Sequence, residues 1–139
     1  MEKDRSSVMV AIFKRKGGEG VLTKIVTEEN SILYTGILKR LKEGEKGIIV
    51  YFNNEQEWSL LTNRRVIAKP GAESVPYEIL FDNLVNVEPA FLLERAEGIA
   101  PGRFSRLILT DKTGEKYILK SESGDPVQGM FQVLWFLLK

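Results

Sequence analysis

The residues with chemistry to offer are few and of few kinds. Two adjacent arginines, Arg64 and Arg65, stand between apolar runs in "WSLLTNRRVI", and guanidinium groups are the side chains best shaped for bidentate capture of phosphate or carboxylate. Lys14, Arg15 and Lys16 form one local basic cluster, and Lys39, Arg40 and Lys42 form another. Glu28 with Glu29, and Glu43 with Glu45, are carboxylate pairs that read as charged-surface material, since an acid/base pair would need burial and perturbed pKa values. Among the 139 residues there is no cysteine and no histidine. That removes thiolate chemistry, disulfides, imidazole metal ligands, the Ser-His-Asp triad and the commonest base near neutral pH. An enzyme built from this chain would have to work with Asp, Glu, Lys, Ser or Tyr. No catalytic residue, metal or cofactor is expected. The glycines of "KGGEGVLTK" do not make a P-loop, because the Gly-x4-Gly-Lys-Ser/Thr spacing is missing.

Each cationic feature also has a plain structural reading. Basic residues at 39, 40 and 42 match the negative end of a helix, and those at 14 to 16 suit a solvated face. For the arginine pair, Thr62 and Asn63 supply the side-chain hydrogen bonds of a tight turn, and Asn63 tolerates a left-handed backbone. Successive strand residues point to opposite sides, so at most one of the two arginines can face a given site. Arg65 pairing or stacking across a sheet is the preferred reading. With 20 basic against 19 acidic residues the net charge is +1, so no global field draws the chain to nucleic acid, and none is expected as a partner.

The length fits one domain, and 43% apolar with 28% charged residues is an ordinary globular composition. The apolar run Val8 to Phe13 is too short for a signal peptide or a membrane span. A cytoplasmic location is expected. Residues 1–26 leave open whether that run is a strand, a helix or a tail.

Three elements must position any site. "TEENSILYTGILKRLKEGEKG" predicts an amphipathic helix over about 28–43, with Thr27 as N-cap and Tyr34, Ile37, Leu38 and Leu41 on one face. From Gly47, seven short apolar runs divided by turn signals predict antiparallel strands: "GIIVYF", "EWSLLT", "RVIA", "SVPYEIL", "LVNVEPAFLLE", "RFSRLILT" and "EKYILKS". Pro89 marks an edge or bulge, and Thr113-Gly114 suits a hairpin. The last segment is helical again, with Asp125 as cap, Pro126 at the first position and Gln128 reaching back. Its stripe of Val127, Met130, Phe131, Leu134, Trp135 and Leu138 would plug one end of a strongly bent sheet.

Seven antiparallel strands closed by one C-terminal helix make the pleckstrin-homology superfold, and "LLTNRRVI" resembles the hairpin between the second and third strands of bacterial pleckstrin-homology-like and GRAM-like domains. "SVPYEILFDNLVNVE" is similar to the segment that follows it there. The resemblance runs from about Leu41 to Lys139. It implies a mainly β fold with α: a seven-stranded bent sheet or barrel over 45–139 capped by the last helix, with 1–44 as an N-terminal helical extension. Many lipid-binding members hold inositol phosphates with cations around the loop between the first two strands. Here that loop reads "FNNEQEW", with two carboxylates and no cation, so no phosphoinositide is expected in the usual pocket.

A second apolar seam lies on the back of the last helix, where Gly129, Val133 and Phe136 fall opposite Leu134 and Leu138. Either the helix bearing Tyr34 and Ile37 covers it, which is the simpler arrangement, or a second subunit does. Phe91, Leu92 and Leu93 in "PAFLLE" are further surface in need of cover. The expected function is therefore non-catalytic: binding or oligomerisation through a protein partner or self-association. Trp58, Arg65, Phe91, Leu92, Gly129, Val133 and Phe136 are the candidate interaction residues. The alternative is peripheral binding to anionic membrane surfaces through the two basic clusters.

Overall fold

Strands whose apolar residues run without alternation need cover on both faces, as in "IIVYF" at 48–52 and "VIA" at 66–68. The computed structural model describes residues 4–138 and places these runs in a doubly covered sheet. It contains β1 (Thr23–Ile25), β2 (Gly47–Asn54), β3 (Glu57–Thr62), β4 (Arg65–Lys69) and β5 (Tyr77–Leu80), all antiparallel and in sequence order. A second antiparallel sheet holds β6 (Leu84–Pro89), β7 (Arg106–Asp111) and β8 (Lys116–Lys120). All seven expected strands are present, and β1 adds an eighth from the segment before them.

The two sheets do not close into a barrel. No ladder joins β5 to β6, which are separated by a 3-10 turn at Phe81–Asn83. Side chains tie the sheets together instead: the Tyr77 hydroxyl donates to the carbonyl of Ile118 at 2.6 Å, and the Ser59 hydroxyl to that of Lys120 at 3.0 Å. Burial pushes the Tyr77 pKa well above the ordinary phenol value, which keeps that hydroxyl a donor.

Alternation along the first sheet divides its side chains between two clusters. Ile49, Tyr51, Leu61, Val66, Ala68 and Ile79 face the main core, with Leu107, Leu109 and Leu119 of the second sheet and Met130, Leu134 and Leu137 of the last helix. Val50, Trp58, Leu60 and Ile67 face the other way, where Tyr34 and Ile37 cover them. Residues 28–43 do not form the single helix that the periodicity predicts. A 3-10 turn at Ser31–Tyr34 runs into α2, only Thr35–Leu38. The polar side chains bond the neighbouring backbone: the Thr27 N–H donates to Asn30 Oδ1 at 2.8 Å, the Asn30 N–H to Thr27 Oγ1 at 3.1 Å, and the Thr35 hydroxyl to the Ile32 carbonyl at 3.0 Å. The Thr27–Asn30 exchange is the reciprocal pair of a capping box, as expected of Thr27 at the start of a helix. Further along, the Thr35 hydroxyl bond competes with the helical ladder and Gly36 weakens it.

The open question over the first residues resolves as α1 (Ser6–Lys16), a helix whose Met9 and Phe13 are fully buried in the main core. It packs along α4 (Asp125–Leu137). The seam of Gly129 and Val133 is thus covered from within the chain by α1 and not by the residues around Tyr34. At Gly129 the two helices meet closely: an added Cβ would lie 2.6 Å from Phe13 Cδ1 and 3.2 Å from the Phe13 carbonyl oxygen. Only Phe136 of that seam remains half exposed, at 47%. The start of α4 also departs from expectation. Gly124, at φ 90°, is the N-cap, Asp125 lies in the first turn, and no side chain caps the helix.

The hairpins follow their turn residues with one exception. In β7–β8 the Asp111 carboxylate accepts the N–H groups of Thr113 and Glu115, and Gly114 takes φ 90°. Gly114→Ala is expected to cost about 1 kcal/mol, because an L side chain must then adopt the left-handed region; urea unfolding measures it. In β3–β4 no non-glycine residue has positive φ, so Asn63 is not left-handed. The Thr62 hydroxyl oxygen closes this turn by accepting the N–H groups of Arg64 and Arg65, while Asn63 Oδ1 accepts the N–H of Lys46.

Candidate functional site

The run "LVNVEPAFLLE" is not one strand. β6 ends at Pro89, the Ala90 N–H still reaches the Arg106 carbonyl at 3.0 Å, and the chain then turns into α3 (Phe91–Ala96). Position 94 decides which way this short helix faces. The Glu94 side chain is 2% exposed, and its carboxylate accepts the Ser105 N–H at 3.1 Å and the Arg106 Nε–H at 3.2 Å. Rooting α3 by Glu94 and by the buried Ala90 turns the intervening residues outward. Leu92 is 82% exposed, and Phe91 and Leu93 are also exposed.

The end of α3 follows from Gly98. At φ 81° this residue sits just past the helix, with its N–H donating to the Arg95 carbonyl and that of Ile99 to the Glu94 carbonyl, which is a Schellman motif. The reversal brings Ile99, Ala100 and Pro101 back beside the helix. Phe104 lies buried at the base, its ring 5.1 Å from that of Phe91 in an edge-on contact. The result is an apolar hollow of about 250 Å³ lined by Phe91, Leu92, Ile99, Pro101 and Phe104, with Arg95 at its margin. A second hollow of about 250 Å³ lies across the same ledge, lined by Glu88, Pro89, Phe91, Leu92 and Ile108. Phe91 and Leu92 are shared walls. β6 is an edge strand of its sheet, so the second hollow adjoins a strand with an unoccupied side.

A polar cavity of about 240 Å³ between the sheets gathers the other chemistry-bearing residues, among them Glu57, Ser105, Arg106 and Lys120. Lys120 Nζ donates to Ser105 Oγ at 2.7 Å and to the Ser121 carbonyl at 3.2 Å. Burial lowers the Lys120 pKa, and the nearby charge of Arg106 adds to this against Glu57 and Glu94. A lysine beside a serine is the pairing that a Ser-Lys nucleophile needs. Here the ammonium is spent on two acceptors, and the Ser105 N–H points at Glu94 rather than into the cavity. The arrangement joins α3, β7 and β8.

The candidate interaction residues separate cleanly. Phe91 and Leu92 meet on the ledge. Trp58 is 3% exposed in the outer cluster, with the Arg40 guanidinium 5.2 Å above its ring, and so offers no surface to a partner. Arg65 is 4% exposed. It donates Nε–H and Nη2–H to the Glu45 carboxylate at 2.8 and 2.9 Å and pairs with Glu78 through Nη1. Arg64, its neighbour, is exposed. Glu45 is accordingly an interior ion-pair partner, not surface material. Gly129 and Val133 lie under α1, and Phe136 stands apart on α4. Lys14, Arg15 and Lys16 are exposed at the end of α1, whereas Arg40 of the other basic cluster is engaged over Trp58.

Sequence reasoning missed the hollow because it read α3 as strand. The signal was present: Arg95, Gly98 and Pro101 in "ERAEGIAPG" are the stop pattern of a short helix. Among the described residues no helix is long and apolar enough to cross a membrane, and no group of acidic side chains could hold a metal ion. No family model, curated protein or solved structure matches the chain.

Proposed function

We propose that this chain is a non-catalytic protein-recognition module of pleckstrin-homology-like architecture, and that the α3 ledge is its recognition site. With β1 set aside, the antiparallel strands divide four and three and the chain ends in a helix packed on the core, which supports the architectural part of the reading. The observation that carries the functional part is the exposure of Leu92 and Phe91 between two apolar hollows. Each hollow is large enough for one bulky side chain, and contiguous exposed apolar surface is characteristic of interaction sites. The free edge of β6 gives an extended peptide main chain a place to pair, leaving its side chains to enter the hollows.

Selection of displayed random peptides against the whole protein tests this. Selected peptides are expected to lose affinity at least about tenfold on Leu92→Asp, a loss of about 1.4 kcal/mol. The folded state should be unaffected, since the side chain is exposed. Phe136→Asp, on α4 and lining neither hollow, should leave binding unchanged. Peptides indifferent to Leu92→Asp, or a selection that yields none, would remove the ledge as the site.

A further inference from the structure

The two hollows are alike in size and apolar lining but opposite in charge at their margins. Beside the first, Arg95 lines the rim and Arg103 is exposed in the turn between the lining residues Pro101 and Phe104. Glu94 also lines this hollow, but its carboxylate is buried and engaged by Ser105 and Arg106. Glu97 is engaged too, accepting Arg106 Nη2–H at 2.7 Å. Arg95 and Arg103 take part in none of the ion pairs among the described residues. Beside the second hollow the charged lining residue is Glu88, exposed on edge strand β6 and likewise in none of those pairs. Phe91 and Leu92 form the divide between a positive end and a negative end.

We propose that the ledge binds a linear peptide of defined charge polarity: two bulky apolar side chains, one per hollow, with acidic residues flanking the anchor beside Arg95 and Arg103 and basic residues flanking the anchor beside Glu88. The inference rests on the protein-recognition reading and adds to it the chemistry of the partner. Apolar burial in the hollows supplies affinity. The charges at the rim supply direction, because a peptide seated in reverse places like charges together at both ends. A uniformly anionic surface, such as a bilayer, satisfies the arginine end but is repelled at Glu88.

The test uses the full chain and three displayed libraries that share two Leu or Phe anchors at variable spacing. Their flanks are of opposite charge in either order, all acidic, or all basic. Enrichment of one opposite-charge order is expected. Arg95→Glu with Arg103→Glu should weaken the enriched peptides about three- to tenfold and select for basic residues at the flank that was acidic. Glu88→Lys should act on the other flank alone. Enrichment of apolar anchors without regard to charge, or charge preferences that these variants do not move, would overturn the polarity while leaving protein recognition standing. Failure of all three libraries would overturn the recognition reading itself. Tight binding to phosphatidylserine vesicles at moderate salt, lost in the arginine variant and unaffected by Glu88→Lys, would replace the peptide with a lipid surface.

Discussion

Arg65→Met is expected to destabilise the fold by about 3–5 kcal/mol, the range for removing one partner of a buried ion pair. The guanidinium and the Glu45 carboxylate meet in a two-pronged contact with side chains 5% and 1% exposed. Arg65 Nη2 also donates to the Arg40 carbonyl at 3.0 Å, while Glu45 accepts from the Lys42 N–H and the Thr62 hydroxyl. The pair therefore pins the segment after α2 to the β3–β4 hairpin. Without the arginine, the carboxylate keeps two neutral donors and a full desolvation penalty. Glu45→Gln with Arg65→Met should be less destabilised than the sum of the single changes, because the neutral amide leaves no unpaired buried charge and its oxygen can still accept the Lys42 N–H. Urea unfolding of the four proteins at neutral pH gives the coupling, and a loss below about 1 kcal/mol in Arg65→Met would contradict this account.

The same pair sets an acid limit. Burial alone would raise the Glu45 pKa, but the hydrogen bond from Arg65, those from Lys42 and Thr62, and the positive charge together bring it from 4.5 to about 2. A folded pKa below the unfolded one contributes stability that is complete above about pH 4.5 and is lost as pH falls toward 2. Its size is about 3 kcal/mol. In Glu45→Gln that part of the acid dependence should disappear, flattening the stability profile between pH 4.5 and 2.

The second large effect is expected at the crossing of α1 and α4. Gly17 lies outside the left-handed region, at φ −165°, and the cost expected of Gly17→Ala is the overlap its side chain would make. An added Cβ would overlap the Asp125 carbonyl oxygen and the backbone nitrogen of Gly129. Neither is a side-chain end that can swing aside. The helices must separate, taking the fully buried Met9 and Phe13 out of register with the core. About 1–3 kcal/mol is expected for such overpacking. Hydrogen exchange should show where it falls, with amides of α1 losing protection while β2 to β4 keep theirs. Gly102→Ala is the control. Nothing lies within 4 Å of its added Cβ and φ is not positive, so a change within about 0.5 kcal/mol is expected. Equal stability in Gly17→Ala and Gly102→Ala would show that α1 does not dock as described.

The amino-acid sequence by itself determined the seven strands from Gly47 to Lys120 and the apolar stripe of α4, because period and turn residues are local properties. It also determined the narrow chemical repertoire, since no fold can restore absent histidine and cysteine. The unbroken apolar runs "IIVYF" and "VIA" also carry a trace of the cover on both faces of β2 and β4, one that the expectation of a single bent sheet closed by the last helix did not use.

Tertiary structure decided what covers each face. Tyr34, Ile37, Leu38 and Leu41 have the right spacing for a helix against α4, yet the segment tightens to a 3-10 turn before Thr35 and Gly36 and ends at Leu38, and the stripe lands on Trp58 and Ile67. The last-helix seam went instead to α1, whose fit depends on two glycines, Gly17 and Gly129, 112 positions apart. The fate of Arg65 rested on Glu45, 20 residues away, and that of the ledge on Glu94 reaching Ser105 and Arg106. Such non-local pairings leave no periodic trace along the chain, and a short helix such as α3 is oriented by its anchor rather than by its own pattern. The hollows beside Phe91 and Leu92 exist only because of that anchor.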